Sequence, residues 1–331
     1  MKSPHENLSL AVVIPCYKVR RHIMGVIEKI PENITHIFVI DDCCPENTGH
    51  FVKSNCTDSR VQIIWNQKNL GVGGAVMTGY SAAILVGAEV IIKIDGDGQM
   101  DPTFIPEFIS PILRNDADYT KGNRFYNLDG IQEMPWIRMI GNSCLSFLSK
   151  LSSGYWDLFD PTNGYTAIHA RIAERLPFEK ISKSYFFESD ILFRLNTLRA
   201  VVIDIPMESF YGGEISNMRI AKVLPEFLIK NIRNTFKRIF YSYYLRSISI
   251  ASFELPLGLL ALGIGVALGA RSWILSAESG ISTPTGTIML AVLPIIIGIN
   301  LLLSFVNYDI ISCPQRVMHN RLQPSIFKPK P

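Results

Sequence analysis

Two long apolar runs near the C-terminal end constrain this chain more than any other feature. They cover residues 248–270 and 286–308, and each is about 23 residues long with almost no charge. A helix of that length reaches ~34 Å at ~1.5 Å per residue, which spans a hydrocarbon core of ~30 Å. A buried core helix is the alternative, which the length and the scarcity of charge disfavour. The sequence therefore predicts a hairpin of two transmembrane helices within residues 247–309.

The charges that flank these runs predict the orientation of the chain. Lysines and arginines accumulate on the cytoplasmic side of membrane proteins. The loop between the runs carries only Arg271 and Glu278. We therefore expect an integral protein of the cytoplasmic membrane, with the N-terminal region, both termini and a tail of residues 310–331 in the cytoplasm. The basic residues that indicate this are Lys222, Lys230, Arg233, Lys237, Arg238 and Arg246 before the first run, and Arg316, Arg321, Lys328 and Lys330 after the second.

Residues 219–246, just before the first run, form a basic segment with apolar residues at helical spacing. Three tyrosines, Tyr241, Tyr243 and Tyr244, stand at its end. A basic amphipathic helix with aromatic residues beside a membrane span is typical of a helix at the lipid–water interface. The alternative is an ordinary surface helix on the preceding domain.

The first 218 residues predict one α/β domain. Short apolar runs rich in β-branched residues occur at 8–15, 36–40, 61–65 and 89–94, with helical stretches between them. Strands that alternate with helices favour a parallel sheet. Hydrophobic residues make up 48% of the chain and charged residues 18%, which excludes a disordered protein. A net charge of +3 gives no support for nucleic-acid binding, and the six cysteines lack paired metal-site spacing.

Polar signatures stand at the ends of three predicted strands, around Pro15 and Tyr17, at Asp42, and from Asp95 to Gln99. Sheets of this class bind ligands beyond the carboxyl ends of their strands. Three signatures at strand ends therefore indicate one binding site.

The run DGDGQ separates two carboxylates by one glycine. Mg²⁺ prefers oxygen ligands and commonly takes one or two carboxylates plus substrate phosphates. Asp97 and Gln99 are thus predicted metal ligands, with Asp95 on the metal or on a ribose, and a plain β-turn is the alternative. An EF-hand is excluded, because Met100 and Pro106 occupy the positions that need Gly and Glu. The glycines of NLGVGGA do not match the dinucleotide fingerprint, and no P-loop is present.

Several motifs together resemble a known family. VVIPCYK, VIDD, NLGVGGA, KIDGDGQMDP and KGNRF are similar to family 2 glycosyltransferases of the GT-A fold, a Rossmann-like nucleotide-sugar-binding domain. DPTNGYTAI, FFESDILFRL and the two C-terminal spans resemble the polyisoprenyl-phosphate glycosyltransferases. This group includes dolichyl-phosphate mannose synthases and undecaprenyl-phosphate glucosyltransferases. The resemblance covers nearly the whole chain.

The resemblance also implies roles for particular residues. Asp97 would act at the reaction centre together with a carboxylate from later in the chain. The candidates for this late carboxylate are Glu188, Asp190 and Asp157, and Asp190 is favoured by its place in the FFESDILFRL motif. The cofactor would be Mg²⁺ or Mn²⁺. The nucleotide-sugar site would include Pro15, Tyr17, Asp42 and Asp95, the metal site Asp95, Asp97 and Gln99, and the lipid-phosphate site Arg124, Arg138, Asn142 and Ser216.

The implied activity is inverting transfer of one hexose or N-acetylhexosamine from a UDP- or GDP-sugar to undecaprenyl or dolichyl phosphate at the cytoplasmic membrane face. The product would supply a flippase or a periplasmic or lumenal glycosyltransferase. A homo-oligomer is also implied, and Gly258, Gly263, Gly265 and Gly269 would permit close helix packing. Two alternatives stay open: a processive polysaccharide synthase, although no Q-x-x-R-W motif occurs, and an inactive membrane scaffold.

Overall fold

The computed structural model describes the backbone of residues 8–126, 136–207 and 220–323, and the side chains of all of these except 136–140, 142 and 220–224. The chain divides into two units. The first comprises Met1–Thr235 with Pro314–Pro331, and the second comprises Phe236–Cys313. The predicted Ser216 site lies outside the described residues, as do the side chains of Arg138 and Asn142.

Within the described residues, the first unit contains a seven-stranded sheet in the order β3-β2-β1-β4-β6-β5-β7. All strands run in one direction except β6, which is antiparallel to β4 and β5. The four strands that the sequence predicts, β1 to β4, are parallel to one another as expected, and β6 is a further strand outside that prediction. The strands are β1 (Leu10–Cys16), β2 (His36–Asp41), β3 (Val61–Trp65), β4 (Val90–Lys93), β5 (Tyr119–Asn123), β6 (Thr166–His169) and β7 (Val202–Pro206).

Hydrophobic cores cover both faces of this sheet. Along β1, Ala11 and Val13 belong to one core, whereas Val12 and Ile14 belong to the other, as the alternation of side chains along a strand requires. Strands buried on both faces appear in a sequence as continuous apolar runs, which is why these runs were predictable. The described α-helices are α1 (Ile23–Glu28), α2 (Thr48–Asn55), α3 (Gly71–Leu85), α4 (Ile105–Leu113), α5 (Trp136–Ser153), α6 (Ala170–Ala173), α7 (Phe187–Thr197), α8 (Ile220–Phe240), α9 (Ala251–Ser279) and α10 (Thr285–Ile311).

The segment that follows α10 belongs to the first unit and is held there by Asp118, a buried residue just before β5. The backbone N–H groups of Met318 and His319 donate to this carboxylate, at 2.9 and 2.8 Å. The ring of His319 also contacts Asp118 through Nδ1 at 2.7 Å and stacks on the ring of His169, with centroids 4.2 Å apart. The guanidinium of Arg171 donates to the carbonyl oxygen of His319. Residues on both sides of the apolar helices therefore build this unit.

The buried ring of His169 predicts a pH-dependent stability of this contact. Burial, together with the neighbouring His319 and Arg171, lowers the pKa of His169 to about 4, although Asp118 opposes the shift. The ordinary value is about 6.5, so between these values the unfolded state binds more protons and stability falls as the pH falls. This group alone should remove about 2 kcal/mol between pH 7.5 and pH 5. We expect the melting temperature of His169→Asn, which keeps an acceptor for the N–H of Arg171, to fall less over this range than that of the natural chain. An identical decline in both proteins would contradict the assignment.

The second unit contains two helices that are long and apolar enough to cross a membrane. α9 has 29 residues and α10 has 27, and an 18-residue stretch of each has a mean hydropathy of 1.8 and 2.5, respectively. α9 continues past residue 270 and ends where Gly280 takes φ +68°, a left-handed conformation that commonly terminates helices. The end of this helix is thus set by a glycine rather than by the end of the apolar run.

A buried ion pair lies within the second unit. Arg238, in the last turn of α8, donates to both oxygens of Asp309 in the last turn of α10, at 2.7 and 2.9 Å. The hydroxyl of Tyr243 donates to the same carboxylate at 2.5 Å. Arg238, one of the basic residues that indicated orientation, therefore also joins two helices. In the same segment the side chains of Phe236 and Phe240 are exposed, as expected for an amphipathic helix.

Glycines bring α9 and α10 into close contact. A Cβ atom at Gly265 would lie 2.7 Å from the carbonyl oxygen of Ala291 and 2.9 Å from the backbone nitrogen of Ile295. Gly258 likewise faces the carbonyl oxygen of Gly298, whereas nothing lies within 4 Å of a Cβ at Gly263. Small residues permit such close backbone approach in membranes. Three of the four glycines predicted to aid helix packing, Gly258, Gly265 and Gly269, therefore face α10 within the hairpin itself.

We expect Gly265→Ala to destabilise the hairpin, because the contacting atoms include backbone that cannot move aside easily. Overpacking of this kind costs roughly 1–3 kcal/mol. Gly263→Ala is the matched control, since the added methyl group meets open space. Thermal unfolding of the purified protein in detergent should show a lower midpoint for Gly265→Ala alone. Equal midpoints for the two variants would refute this account of the packing.

Candidate active site

The polar residues predicted at three strand ends meet at one edge of the sheet. β1 lies between β2 and β4, and all three strands are parallel. Pro15, Asp42 and Asp95 stand at or just after the carboxyl ends of these strands, so they share this edge. The side chain of Tyr17 follows β1 and is 45% exposed, which leaves its ring accessible to a ligand.

Asp42 fixes the loop that precedes α3. Its Oδ1 accepts hydrogen bonds from the Asn66 amide and the Leu70 N–H, and its Oδ2 accepts from the Gly71 N–H at 2.8 Å. Gly71 has φ +78°, a conformation that favours glycine. Both oxygens of Asp42 therefore accept hydrogen bonds from protein groups and hold the NLGVGGA loop in position. Its role in a nucleotide site stays a prediction.

The DGDGQ loop presents two partly exposed carboxylates. The side chain of Asp95 is 30% exposed, and Asp97 accepts a hydrogen bond from the Gln99 N–H at 3.0 Å. Gly98, with φ +79°, allows this tight turn. The side chain of Gln99 is exposed. All three predicted metal ligands thus lie on one short turn at the edge of the sheet.

The donor chemistry of this turn fits a divalent cation that is shared with a substrate. Among the described residues, no group of three His, Cys, Asp or Glu side chains could hold a metal by itself. Mg²⁺ commonly takes only one or two carboxylates and completes its shell with substrate phosphates and water. Asp95 and Asp97 supply the two carboxylates that such an arrangement needs.

A buried lysine lies directly behind the turn. Lys93, the last residue of β4, is 1% exposed, and its Nζ is 2.7 Å from Oδ1 of Asp95 and 3.9 Å from Oε1 of Glu188. Burial alone would lower the pKa of Lys93, but the two carboxylates outweigh it and raise this pKa. Burial raises the pKa of Glu188, which Lys93 and Lys121 offset only in part. The first carboxylate of DGDGQ and a late carboxylate therefore share one ammonium group.

A row of polar residues extends from this pair across the sheet. Thr166 of β6 is in register with Lys93 on one side and with Lys121 on the other, and Lys121 is in register with Asp204 of β7. Lys121 is fully buried and donates to the carbonyl oxygen of Asn163. Burial lowers the pKa of Lys121 to about 8 and raises that of Asp204 to about 6. Two buried ammonium groups thus lie two strands apart in the sheet, and of these Lys93 contacts Asp95 of the DGDGQ turn.

The three candidate late carboxylates occupy different surroundings. Asp190 accepts hydrogen bonds from the Ser182 N–H, the Arg194 guanidinium and the Asn234 amide, so it joins α7 to its neighbours. Asp157 is exposed. Glu188 is the one that faces Lys93, the partner of Asp95. For the role of the late carboxylate at the reaction centre, the geometry therefore favours Glu188, whereas the position in the motif favoured Asp190.

Sequence comparison assigns the family. Residues 11–177 match the profile described as glycosyl transferase family 2. The chain belongs to this family. It is 28% identical over 232 residues to a UDP-N-acetylglucosamine–dolichyl-phosphate N-acetylglucosaminyltransferase of Methanococcus voltae, covering 66% of this chain and 92% of the relative. It is 26% identical to an undecaprenyl-phosphate mannosyltransferase of Micrococcus luteus, covering 59% and 78%. The resemblance to polyisoprenyl-phosphate glycosyltransferases is confirmed by these relatives.

Structural comparison confirms the GT-A fold of this family 2 glycosyltransferase. A glucosyl-3-phosphoglycerate synthase of Mycobacterium tuberculosis, solved with Mn²⁺, UDP-glucose and phosphoglyceric acid, matches with a TM-score of 0.53. The match covers 70% of this chain and 80% of the other, at 16% identity. The likeness is therefore one of fold.

On the predicted acceptor side, the glycosyltransferase places Arg124 in a partly buried ion pair. Its Nε and Nη2 contact the two oxygens of Asp160 at 2.7 and 3.2 Å, and one-third of the Arg124 side chain is exposed. This geometry fixes the plane of the guanidinium and leaves part of it accessible. Arg138 and Asn142 belong to α5, and their predicted role stays a prediction, as does that of Ser216.

Sequence reasoning missed Lys93, Lys121, Asp160 and Gly164. A signal existed for Lys93, since it interrupts the predicted buried strand at 89–94, whereas the strand that carries Lys121 was not predicted. Charged residues are almost never buried unless they are paired, so a lysine in such a strand indicates hidden carboxylates. No comparable signal marks Gly164, whose importance depends on which side chains approach it.

Proposed function

We propose that this glycosyltransferase moves one sugar from a nucleotide sugar to a polyprenyl phosphate, undecaprenyl or dolichyl, at the cytoplasmic face of a membrane. The observation that carries the proposal is the presence in one chain of the DGDGQ carboxylates at the carboxyl edge of a GT-A sheet and of two helices long enough to cross a membrane. The names of the relatives from Methanococcus voltae and Micrococcus luteus support a lipid phosphate as acceptor. The sugar is a hexose or N-acetylhexosamine carried by UDP or GDP.

On the donor side, the residues at the sheet edge would hold the nucleotide and its metal. Asp95, Asp97 and Gln99 are assigned to Mg²⁺ or Mn²⁺. A divalent cation supplies charge that stabilises the departing nucleoside diphosphate. Pro15, Tyr17 and the loop held by Asp42 are assigned to the nucleoside.

On the acceptor side, the nucleophile is an oxygen of the lipid phosphate. The second pKa of a phosphate monoester is about 6, so this oxygen is largely ionised near neutral pH and needs no strong base. Orientation and electrostatics should therefore supply most of the rate. The guanidinium fork of Arg124 suits phosphate oxygens, and Arg138, Asn142 and Ser216 are assigned to the same group. One displacement at the anomeric carbon inverts it, so an α-linked donor gives a β-linked product.

The membrane geometry follows the charge distribution. We assign the catalytic domain and both termini to the cytoplasm, and α8 with its exposed Phe236 and Phe240 to the lipid–water interface. The domain boundaries at 218, 246 and 309 are proposed on the same basis. The lipid-linked sugar then serves a flippase or a periplasmic or lumenal glycosyltransferase. A homo-oligomer is part of the proposal.

A donor panel on purified membranes tests the proposal. Radiolabelled UDP-glucose, UDP-N-acetylglucosamine, UDP-galactose and GDP-mannose are supplied with undecaprenyl or dolichyl phosphate and either Mg²⁺ or Mn²⁺, and label is counted in the organic phase. We expect metal-dependent label from one donor. Membranes without the protein are the control.

Two other outcomes would contradict the proposal. Label in a water-soluble or insoluble polymer would favour a processive synthase. The absence of label in every fraction, from protein that is intact and still binds nucleotide, would favour a scaffold.

A further inference from the structure

The buried ammonium group of Lys93 has its main partner at the candidate metal site. It lies 2.7 Å from Oδ1 of Asp95 and 3.9 Å from Oε1 of Glu188. A buried charge is costly unless oppositely charged groups compensate it, so this ion pair constrains both partners. Lys93 closes β4 and Asp95 begins the DGDGQ turn, so the ion pair joins the end of the strand to the start of the turn.

Gly164 encloses the same ion pair from the other side. The antiparallel strand β6 begins at Thr166, beside Lys93, and so brings the preceding loop to the carboxyl edge. A Cβ atom at Gly164 would collide with Nζ of Lys93 and would lie 2.9 Å from Oδ2 of Asp95. The atoms in conflict are the ends of two side chains, which can move without unfolding the loop. Any side chain at 164 would therefore displace this ion pair.

A metal ligand needs a fixed orientation. Partners behind metal ligands typically change metal affinity by about 10–100-fold when removed. Asp95 has one oxygen on Lys93 and its other oxygen beside Gly164, so its carboxylate plane is set by groups that are themselves buried.

We propose that Lys93 is a positioning residue, which holds the carboxylate of Asp95 in the orientation that binds the divalent cation. Lys93 is almost fully buried and acts through Asp95 rather than on the substrate. The ion pair with Glu188 ties the late carboxylate to the same group. The inference rests on the proposed function, because it assumes a metal at Asp95.

Metal binding to the full-length protein in detergent tests the inference. Mn²⁺ is titrated in the presence of saturating UDP, and separately of GDP, and free Mn²⁺ is followed by its electron paramagnetic resonance signal. We expect Lys93→Met to weaken Mn²⁺ binding about tenfold or more. In assays of sugar transfer, excess Mn²⁺ should restore much of its turnover, while the KM for polyprenyl phosphate stays unchanged.

Lys121→Met is the matched control. It removes an equally buried ammonium group, one whose Nζ donates to the carbonyl oxygen of Asn163 rather than pairing with Asp95. Its Mn²⁺ affinity should stay within about threefold of that of the natural chain, a change of less than 1 kcal/mol. Gly164→Ala covers the case in which Lys93→Met fails to fold, since it disturbs the same ion pair without removing a charge. It should weaken Mn²⁺ binding in the same direction.

The outcomes separate the inference from the proposed function. If the natural chain binds Mn²⁺ and both Lys93→Met and Gly164→Ala bind it equally well, Lys93 has no positioning role and the proposed function stands. If the natural chain binds no Mn²⁺ with either nucleotide, the metal assignment itself fails and the inference fails with it. Equal weakening in Lys93→Met and Lys121→Met would show a general effect of lost buried charge and would also overturn the inference.

Discussion

Asp97→Ala should lower the rate of sugar transfer to polyprenyl phosphate by about a thousandfold or more. This carboxylate is held in a tight turn by the Gln99 N–H and is assigned to the cation that stabilises the leaving diphosphate. Loss of several kcal/mol of charge stabilisation in the transition state gives an effect of this size. The measurement is organic-phase label from the donor that the panel identifies, at saturating metal.

The matched control is Asp116→Ala, which removes an exposed carboxylate paired with Arg114 on the surface. Its rate should equal that of the natural chain, because exposed ion pairs contribute little. Both variants should be recovered from membranes in normal amounts. Unchanged transfer by Asp97→Ala would remove the metal assignment, and unchanged biological activity without any transfer would favour a scaffold.

The second large effect distinguishes the roles of Glu188 and Asp190, two carboxylates that lie two residues apart on α7. We expect Glu188→Gln to lower kcat by about a hundredfold or more, because it removes a charge beside Lys93 and Asp95 in a site where electrostatics should supply most of the rate. Its thermal stability should change little, because burial raises the pKa of Glu188 and its charge is not a net stabilising one. Asp190→Asn should do the reverse. It weakens the contacts to Ser182, Arg194 and Asn234 and should cost roughly 2–4 kcal/mol of stability.

The pair of variants is measured by thermal unfolding in detergent and by initial rates at a temperature where both are folded. A large loss of kcat in folded Asp190→Asn, with normal kcat in Glu188→Gln, would return the late catalytic role to Asp190. Equal losses in both would show that the two carboxylates act through one shared structure.

Much of the site could be predicted from local sequence. The strands that carry Pro15, Asp42 and Asp95 are apolar runs buried on both faces, and each ends in a polar signature. The carboxyl ends of parallel strands meet at one edge, so the location of the site followed from the order of elements. The two membrane-length helices were equally predictable, because their length and scarcity of charge are properties of the sequence.

Other features depended on contacts between distant residues. The antiparallel direction of β6 places Gly164 beside Lys93, and no local pattern specifies that direction. Asp190 and Glu188 have the same charge and share a helical turn, but they point toward different neighbours. The two side chains leave the helix at different angles around its axis, and the sequence motif does not reveal which of them faces Lys93.

By itself, then, the sequence determined the class of fold, the edge that carries the site and the presence of two membrane-length helices, because periodicity and strand-end chemistry are local. The tertiary structure alone decided which charges meet. It placed Lys93 between Asp95 and Glu188, and it attached the segment after α10 to Asp118. Ion pairs and backbone contacts between residues far apart in the chain depend on packing in three dimensions, where a few ångströms separate a paired charge from an exposed one.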